Sequence, residues 1–161
     1  MGELTDLYDE TGKRTGRTMY RGEKIGSDDY IQAAAAIVQV DGQILVTKRH
    51  PNKTQGGMWE FPGGGSRAGE EPLETLFREL KEETGICASK EQVAYLGRVY
   101  FAPYHLFLYV YSVRTEVTLE ELQLQETEIS DARFVTLQEL AMQQAVMTKM
   151  DWQIYEELLK E

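Results

Sequence analysis

The sequence is poor in cysteine, in basic residues and in long apolar runs. Its one cysteine, Cys87, excludes a disulfide within the chain and favours a reducing compartment. The chain has 17 lysines and arginines against 27 acidic residues, a net charge of −10, which argues against binding of nucleic-acid polymers because these need a basic surface. No apolar run is long enough to cross a bilayer and no secretory signal is evident, so we expect a cytoplasmic protein that does not bind membranes.

The length of 161 residues fits a single domain. We predict one domain over residues 1–161, with an N-terminal extension over residues 1–28, a core over residues 31–145 and a C-terminal helix over residues 148–161. The polar segment 4–21 predicts a β-hairpin, placed either at an edge of the fold or as a flap over it. Strands interleaved with helices then predict an α/β class, a sandwich around a mixed sheet.

Four segments of the core predict strands. Residues 30–40 and 43–47 flank Asp41-Gly42, a two-residue turn typical of a β-hairpin. Residues 93–101 and 104–113 are rich in β-branched and aromatic side chains, which predicts strands buried on both faces. The alanines at 33–36 leave room for a closely packed helix or for a ligand.

A helix is predicted between Pro72, suited to a first turn, and Gly85, suited to a C-terminal cap. At about 100° per residue, one arc of this helix is apolar and is expected to be buried; it contains Leu73, Leu76, Phe77, Leu80 and Thr84. Glu79, Glu82 and Glu83 share the adjacent face, where like charges at these spacings cost about 0.2–0.5 kcal/mol each.

Two interpretations of this acidic face are open. It is either a solvated surface, partly neutralised by Arg78 and Lys81, or a site for a divalent cation that relieves the repulsion. Carboxylates without a nearby histidine or cysteine favour Mg²⁺, with Mn²⁺ as a substitute, over zinc.

The helix and the loop before it together match a longer pattern. From Gly64 there are five residues to Glu70, then seven to Arg78, followed by Glu79-Leu80-Lys81-Glu82-Glu83-Thr84-Gly85-Ile86. This arrangement resembles the Nudix box, G-x5-E-x7-R-E-U-x-E-E-x-G-U, where U is aliphatic. The flanking segments 59–64 and 132–140 are also similar to the family, so the resemblance extends over most of residues 31–145. It implies a Nudix-type α/β/α sandwich.

The resemblance also implies a reaction, the Mg²⁺-dependent hydrolysis of a diphosphate linkage in a nucleoside diphosphate derivative. Glu82 and Glu83 would bind the metal, with Glu79 as a further ligand or as the general base. Arg78 would orient a carboxylate of the box, Glu79 or Glu70. A backbone carbonyl of Gly63 or Gly64 would complete the metal's ligands, because glycine lets the backbone approach closely.

Family members differ in the position of the base, so Glu128 and Glu126 in a later loop are alternatives; otherwise they are solvated loop acids. We expect a small-molecule diphosphate or nucleotide as substrate. Arg49 and Lys53 are candidates for contacts with phosphate, or else exposed surface cations. Tyr104 lies at a spacing that resembles the tyrosine of dinucleoside-polyphosphate hydrolases, where it would stack on a base; otherwise it is an ordinary strand residue.

The N-terminal segment resembles Nudix proteins related to isopentenyl-diphosphate isomerase. That isomerase needs a catalytic cysteine before the box, and this chain has none there, so we interpret the likeness as a shared scaffold. Cys87 follows the box and is expected to pack as a small apolar residue. A non-catalytic nucleotide-sensing module is the remaining alternative, and a homodimer is left open.

Overall fold

The computed structural model describes residues 2–161. The strands within this range are β1 Leu4–Tyr8, β2 Arg14–Tyr20, β3 Ile31–Val40, β4 Gln43–Arg49, β5 Trp59–Glu60, β6 Gly63–Gly65, β7 Val93–Phe101, β8 Leu106–Arg114 and β9 Ile129–Thr136. The α-helices are α1 Pro72–Thr84, α2 Leu137–Ala141 and α3 Lys149–Ile154, the last continued by a π-helical turn, Tyr155–Leu159. No helix among these residues has the length and apolarity that spanning a membrane requires.

A seven-stranded mixed sheet forms the centre of the molecule, in the order β5-β4-β3-β8-β7. Strand β3 pairs in parallel with β8 along nine residue pairs from Ile31↔Leu106 to Gln39↔Arg114. On its other side β3 pairs antiparallel with β4 at one end and with β6 at the other, and β9 pairs with β4. The predicted N-terminal hairpin is confirmed as a separate two-stranded sheet of β1 and β2.

The alanine-rich strand β3 contributes to two cores, because successive side chains of a strand point to opposite faces. Ala34, Ala36 and Val38 join the core beneath α1. Ala33, Ala35 and Ile37 join the core covered by α2, α3 and the segment between them. Small side chains on both faces allow the helical layers to lie close to the sheet, and the predicted α/β/α sandwich is confirmed.

Helix α1 has the predicted bounds and caps. Pro72 is its first residue, the Glu74 carboxylate accepts the backbone N–H of Glu71 at 2.9 Å, and Gly85 ends it at φ 79°. Leu76 and Leu80 are each 1% exposed, and burial of a leucine side chain contributes about 1.5–3 kcal/mol. The buried face is rotated from the predicted arc, because Thr75 and Glu83 are buried while Leu73 and Phe77 are only half-buried.

Three expectations about the second half of the core need correction. Strand β7 is largely exposed, not buried on both faces, because it is the edge strand of the sheet, whereas the central strand β8 is mostly buried. Tyr104 ends the 3₁₀ turn Ala102–Tyr104, so it is not a strand residue. Cys87 is exposed rather than packed, because the chain has already left the core after Ile86.

Candidate active site

The candidate site lies where β6 passes the C-terminal half of α1. Gly63, Gly64 and Gly65 of β6 pair with Ala35, Ala34 and Ala33 of β3. A Cβ built on Gly63 would lie 2.3 Å from the Ala34 carbonyl oxygen, and one built on Gly64 would lie 2.5 Å from the carboxyl carbon of Glu79. Glycine is therefore required at residue 63, since a side chain there would separate β6 from β3, whereas a side chain at residue 64 would displace the carboxylate of Glu79.

Arg78 is the centre of the site's hydrogen bonds. It donates to both carboxylate oxygens of Glu70 at 2.7 and 2.9 Å, to Glu79 at 2.9 Å and to Glu82 at 3.1 Å. It also donates to the Gly65 carbonyl at 3.1 Å. The side chain of Arg78 is only 16% exposed, so one guanidinium fixes the orientation of three carboxylates in a largely desolvated place.

Glu70, in the loop before α1, is held in its charged form. Burial disfavours the carboxylate, but hydrogen bonds from Arg78, from the backbone of Arg67 and from Thr75 outweigh it and lower the pKa of Glu70 to about 2. Glu70 is thus a permanent anion that fixes Arg78 between the loop and the helix.

The carboxylates facing the interior of the site are shifted in the opposite direction. Burial raises the pKa of Glu83 well above its ordinary value, even though its Oε1 accepts the Gly63 N–H at 2.9 Å, and the negative charges of Glu79 and Glu60 add to this rise. Burial also raises the pKa of Glu79 and of Glu60, with Arg78 and Arg49 respectively opposing the rise. Desolvation is thus the main factor opposing the charged form of these three carboxylates.

A cavity of about 930 Å³ joins these residues to the others that the sequence singled out. The candidate metal-site residues that line it are Gly63, Gly64, Arg78, Glu79, Glu82 and Glu83. The candidate substrate contacts and the alternative base that line it are Arg49, Lys53, Tyr104 and Glu128. Glu126 is exposed and lies outside this lining. The structure therefore places the candidate ligands, the candidate phosphate contacts and Tyr104 around one space.

The two candidate phosphate contacts already have partners inside the protein. Arg49 donates to Glu60 at 2.9 Å and to the Thr54 carbonyl at 2.8 Å. Lys53 forms an ion pair with Glu128. Tyr104 is 50% exposed and meets Phe101 edge-on, with 5.2 Å between ring centroids. Its exposed ring is open to a planar ligand group.

Sequence reasoning missed three lining residues, because they come from remote parts of the chain. Arg21 and Glu3 belong to the hairpin, and no motif spacing connects them to the box. Asp151 of α3 is 2% exposed and accepts the Phe61 N–H at 3.0 Å. Burial and the charge of Glu60 raise the pKa of Asp151 to about 7, against a hydrogen bond from Thr148. The pattern Thr148-x-x-Asp151, typical of a helix start, was its only signal in the sequence.

The donor set fits a hard divalent cation by its chemistry. Its members are oxygens of Glu79, Glu82 and Glu83 beside the backbone of Gly64, with burial opposing the charge of Glu79 and Glu83. No three acidic, histidine or cysteine side chains among residues 2–161 already converge as a metal cage. In this arrangement Arg78 takes oxygens of Glu79 and Glu82 that a cation would otherwise attract.

Comparison with known proteins agrees with this geometry. The family model described as NUDIX domain matches residues 30–158. An uncharacterized Nudix hydrolase of Listeria monocytogenes is 32% identical over 145 residues, covering 86% of this chain and 82% of that protein. The CTP pyrophosphohydrolase of Escherichia coli is 44% identical over 59 residues, covering 37% of this chain and 44% of that protein.

A solved structure extends the likeness in three dimensions. The crystal structure of a Deinococcus radiodurans protein superposes with a TM-score of 0.77 at 21% identity, covering 98% of this chain and 100% of that one. At this level of identity the superposition supports the fold alone.

Proposed function

The chain belongs to the Nudix hydrolase family, and from this membership we propose that it hydrolyses a diphosphate linkage in a nucleoside diphosphate derivative with the help of Mg²⁺ or Mn²⁺. One observation carries the proposal. The carboxylates of α1 and the exposed ring of Tyr104 line the same cavity, which can hold a charged diphosphate at one end and a planar base at the other.

The proposed metal ligands are Glu82 and Glu83, with a backbone carbonyl of Gly63 or Gly64, and Glu79 is a further ligand or the general base. When bound there, a divalent cation would neutralise charge on phosphoryl oxygens and polarise phosphorus for attack by water. Glu83 is fixed for this role by the Gly63 N–H. Arg78 holds Glu79 and Glu82 on the same side of the helix.

We assign proton transfer from the attacking water to Glu79. Its Oε1 accepts from Arg78, while its Oε2 receives no hydrogen bond from residues 2–161. A carboxylate oxygen without a hydrogen-bond partner can accept a proton from water. Glu128 is the alternative base, and its ion pair with Lys53 would have to open first.

For substrate binding we propose Arg49, Lys53 and Tyr104. Arg49 or Lys53 can exchange its present carboxylate partner for a phosphate oxygen, since carboxylate and phosphate are both anionic acceptors.

The isomerase alternative has no support in the site, because Cys87 lies on the surface after the box. A cytoplasmic location remains our prediction.

The test is a screen of the purified protein with Mg²⁺ and with Mn²⁺ against nucleoside diphosphate derivatives. The panel contains ADP-ribose, nucleotide sugars, dinucleoside polyphosphates, ordinary and oxidised nucleoside triphosphates and isoprenoid diphosphates, with released phosphate measured after a coupled phosphatase. Glu82→Gln should reduce turnover more than about tenfold. Glu120→Gln, an exposed acid outside the cavity, is the matched control.

A binding measurement and one further outcome of the screen separate metal binding from catalysis. Calorimetry of Mn²⁺ binding without substrate should show weaker affinity in Glu82→Gln than in Glu120→Gln. Nucleotide binding by the wild type with no turnover under either metal would contradict the hydrolase proposal and favour a sensing module.

A further inference from the structure

The cations around the cavity differ in how many of their hydrogen bonds are already used. Arg78 and Arg49 each donate to several protein oxygens, and Lys53 is paired with Glu128. The remaining two lining cations are Arg21 and Arg67. Both are held by Glu3, which accepts from Arg21 at 3.2 Å and from Arg67 at 2.6 Å.

The N-terminal hairpin that carries Glu3 and Arg21 is fixed to the loop before α1. Thr5 Oγ1 donates to the Ser66 carbonyl at 2.9 Å, and the Ala68 N–H donates to the Leu4 carbonyl at 2.8 Å. Arg14 adds hydrogen bonds to Glu71 at 2.8 Å and to the Glu70 carbonyl at 2.9 Å. These contacts fix the hairpin to the segment that contains Glu70, so the C-terminal end of the hairpin, with Arg21, lines the cavity.

Arg21 lies directly over the glycine strand of the site. A Cβ built on Gly65 would collide with Nη2 of Arg21, and its three nearest neighbours would all be atoms of the Arg21 guanidinium. The guanidinium therefore occupies the space that a side chain at residue 65 would fill.

The guanidinium of Arg21 has unused donors. Of its five N–H groups, one makes a hydrogen bond to a residue in the range 2–161, the bond to Glu3, and the side chain is 54% exposed. An exposed ion pair of this kind adds little to stability. A guanidinium can donate two parallel N–H hydrogen bonds to two oxygens of one phosphate group. The free donors of Arg21 therefore suit a phosphate bound in the proposed diphosphate site.

We propose that Arg21 is a substrate-binding residue that contacts a phosphate group of the diphosphate, and that Glu3 positions Arg21 and Arg67 for this contact. The inference rests on the proposed hydrolysis of a diphosphate. It gives the N-terminal hairpin a defined role, since the hairpin supplies a cation to a site whose proposed metal ligands come from β6 and α1.

The first test measures binding apart from turnover. Isothermal titration calorimetry with α,β-methylene-ADP, a non-hydrolysable nucleoside diphosphate, should give a Kd about tenfold weaker in Arg21→Gln, the loss expected for a hydrogen bond to a charged group. Arg21→Lys should lie between wild type and Arg21→Gln. The control is Arg17→Gln, on β2 just before Arg21 but paired with Asp29 and outside the cavity; its Kd should equal that of the wild type.

The second test moves Arg21 without removing its charge. In Gly65→Ala the three atoms nearest the new Cβ all belong to the Arg21 guanidinium, so Kd should weaken as in Arg21→Gln. The double variant should bind no more weakly than either single variant, because both changes remove the same contact. Additive losses would overturn the proposal, since Gly65→Ala would then act through another part of the site. Circular dichroism confirms that each variant is folded.

The two proposals fail in different ways. A wild type that turns over no diphosphate in the panel contradicts the proposed function. Wild-type turnover together with an unchanged Kd and KM in Arg21→Gln contradicts the role of Arg21 alone. Under the proposal KM rises by about the same factor as Kd, while kcat changes less.

Discussion

Two clusters of acids border the cavity, and they are stabilised in different ways. The α1 cluster consists of Glu70, Glu79, Glu82 and Glu83, gathered around Arg78. The α3 cluster consists of Asp151 and Glu60, with Thr148 and Arg49 as partners.

The difference lies in how fully each cluster is satisfied. In the α3 cluster Asp151 accepts from Thr148 and from the Phe61 backbone, and Glu60 is paired with Arg49. In the α1 cluster four carboxylates surround one cation, and the one hydrogen bond that Glu83 accepts from residues 2–161 comes from the Gly63 N–H. Burial raises the pKa of acids in both clusters, Glu83 and Glu79 in the first and Asp151 and Glu60 in the second. Surplus buried charge opposes folding and indicates a site for a ligand, whereas a satisfied buried acid indicates a structural connection.

The largest expected effect comes from removing the cation of the α1 cluster. Arg78→Gln should lower the free energy of unfolding by about 3 kcal/mol, because Glu70, Glu79 and Glu82 lose their partner in a partly desolvated place. Urea unfolding measures this change, with Arg17→Gln as a control that removes an exposed ion pair. A loss equal to that of the control would show that the cluster is not held by Arg78. Turnover should also be lost, as Arg78 orients the proposed base.

The corresponding change in the α3 cluster should affect stability more than activity. Asp151→Ala removes the acceptor of the Phe61 N–H and of the Thr148 hydroxyl, which should cost about 2 kcal/mol of unfolding free energy. Thermal and urea unfolding measure this loss, and kcat/KM of the folded protein should change less than tenfold. A loss of activity larger than tenfold at unchanged stability would indicate that Asp151 has a catalytic role and not a structural one.

Neutralising one acid of the α1 cluster should separate activity from stability. Glu83→Gln should reduce kcat/KM more than about tenfold, equivalent to about 1.4 kcal/mol, if Glu83 binds metal. The same change should raise unfolding stability in metal-free buffer, because it removes a charge that burial disfavours. Parallel losses of both quantities would indicate that Glu83 is only structural. Glu120→Gln again serves as the matched acidic control.

The smallest expected effect is a pH dependence from Asp151. Its pKa rises from an ordinary 3.8 to about 7 on folding, so the folded state favours the protonated acid. Its contribution to stability is therefore full below pH 3.8 and is lost as pH rises through about 7. Between about pH 6 and pH 8 the loss should be about 1 kcal/mol. Urea unfolding at both pH values should show this slope in wild type and a smaller one in Asp151→Asn. Equal slopes in wild type and Asp151→Asn would contradict the assignment of this pH dependence to Asp151.

Features that depend on a few neighbouring residues were predictable. The bounds of α1, its caps and the turn at Asp41-Gly42 follow from contacts within one or two turns of the chain. The sequence was less informative about burial. Strand β7 has the composition of a buried strand but lies at the sheet edge, and Glu83 is buried whereas Glu82 is exposed on the same helical face.

By itself, the sequence determined the α/β class, the N-terminal hairpin, the family and the acidic face of α1, because periodicity and motif spacing are local properties. Tertiary structure decided which distant residues share the site. The Asp151–Phe61 bond joins residues 90 positions apart, and Arg21 reaches Gly65 only because the hairpin docks on the loop before α1. Such contacts depend on how separate elements pack in space, and no spacing along the chain encodes them.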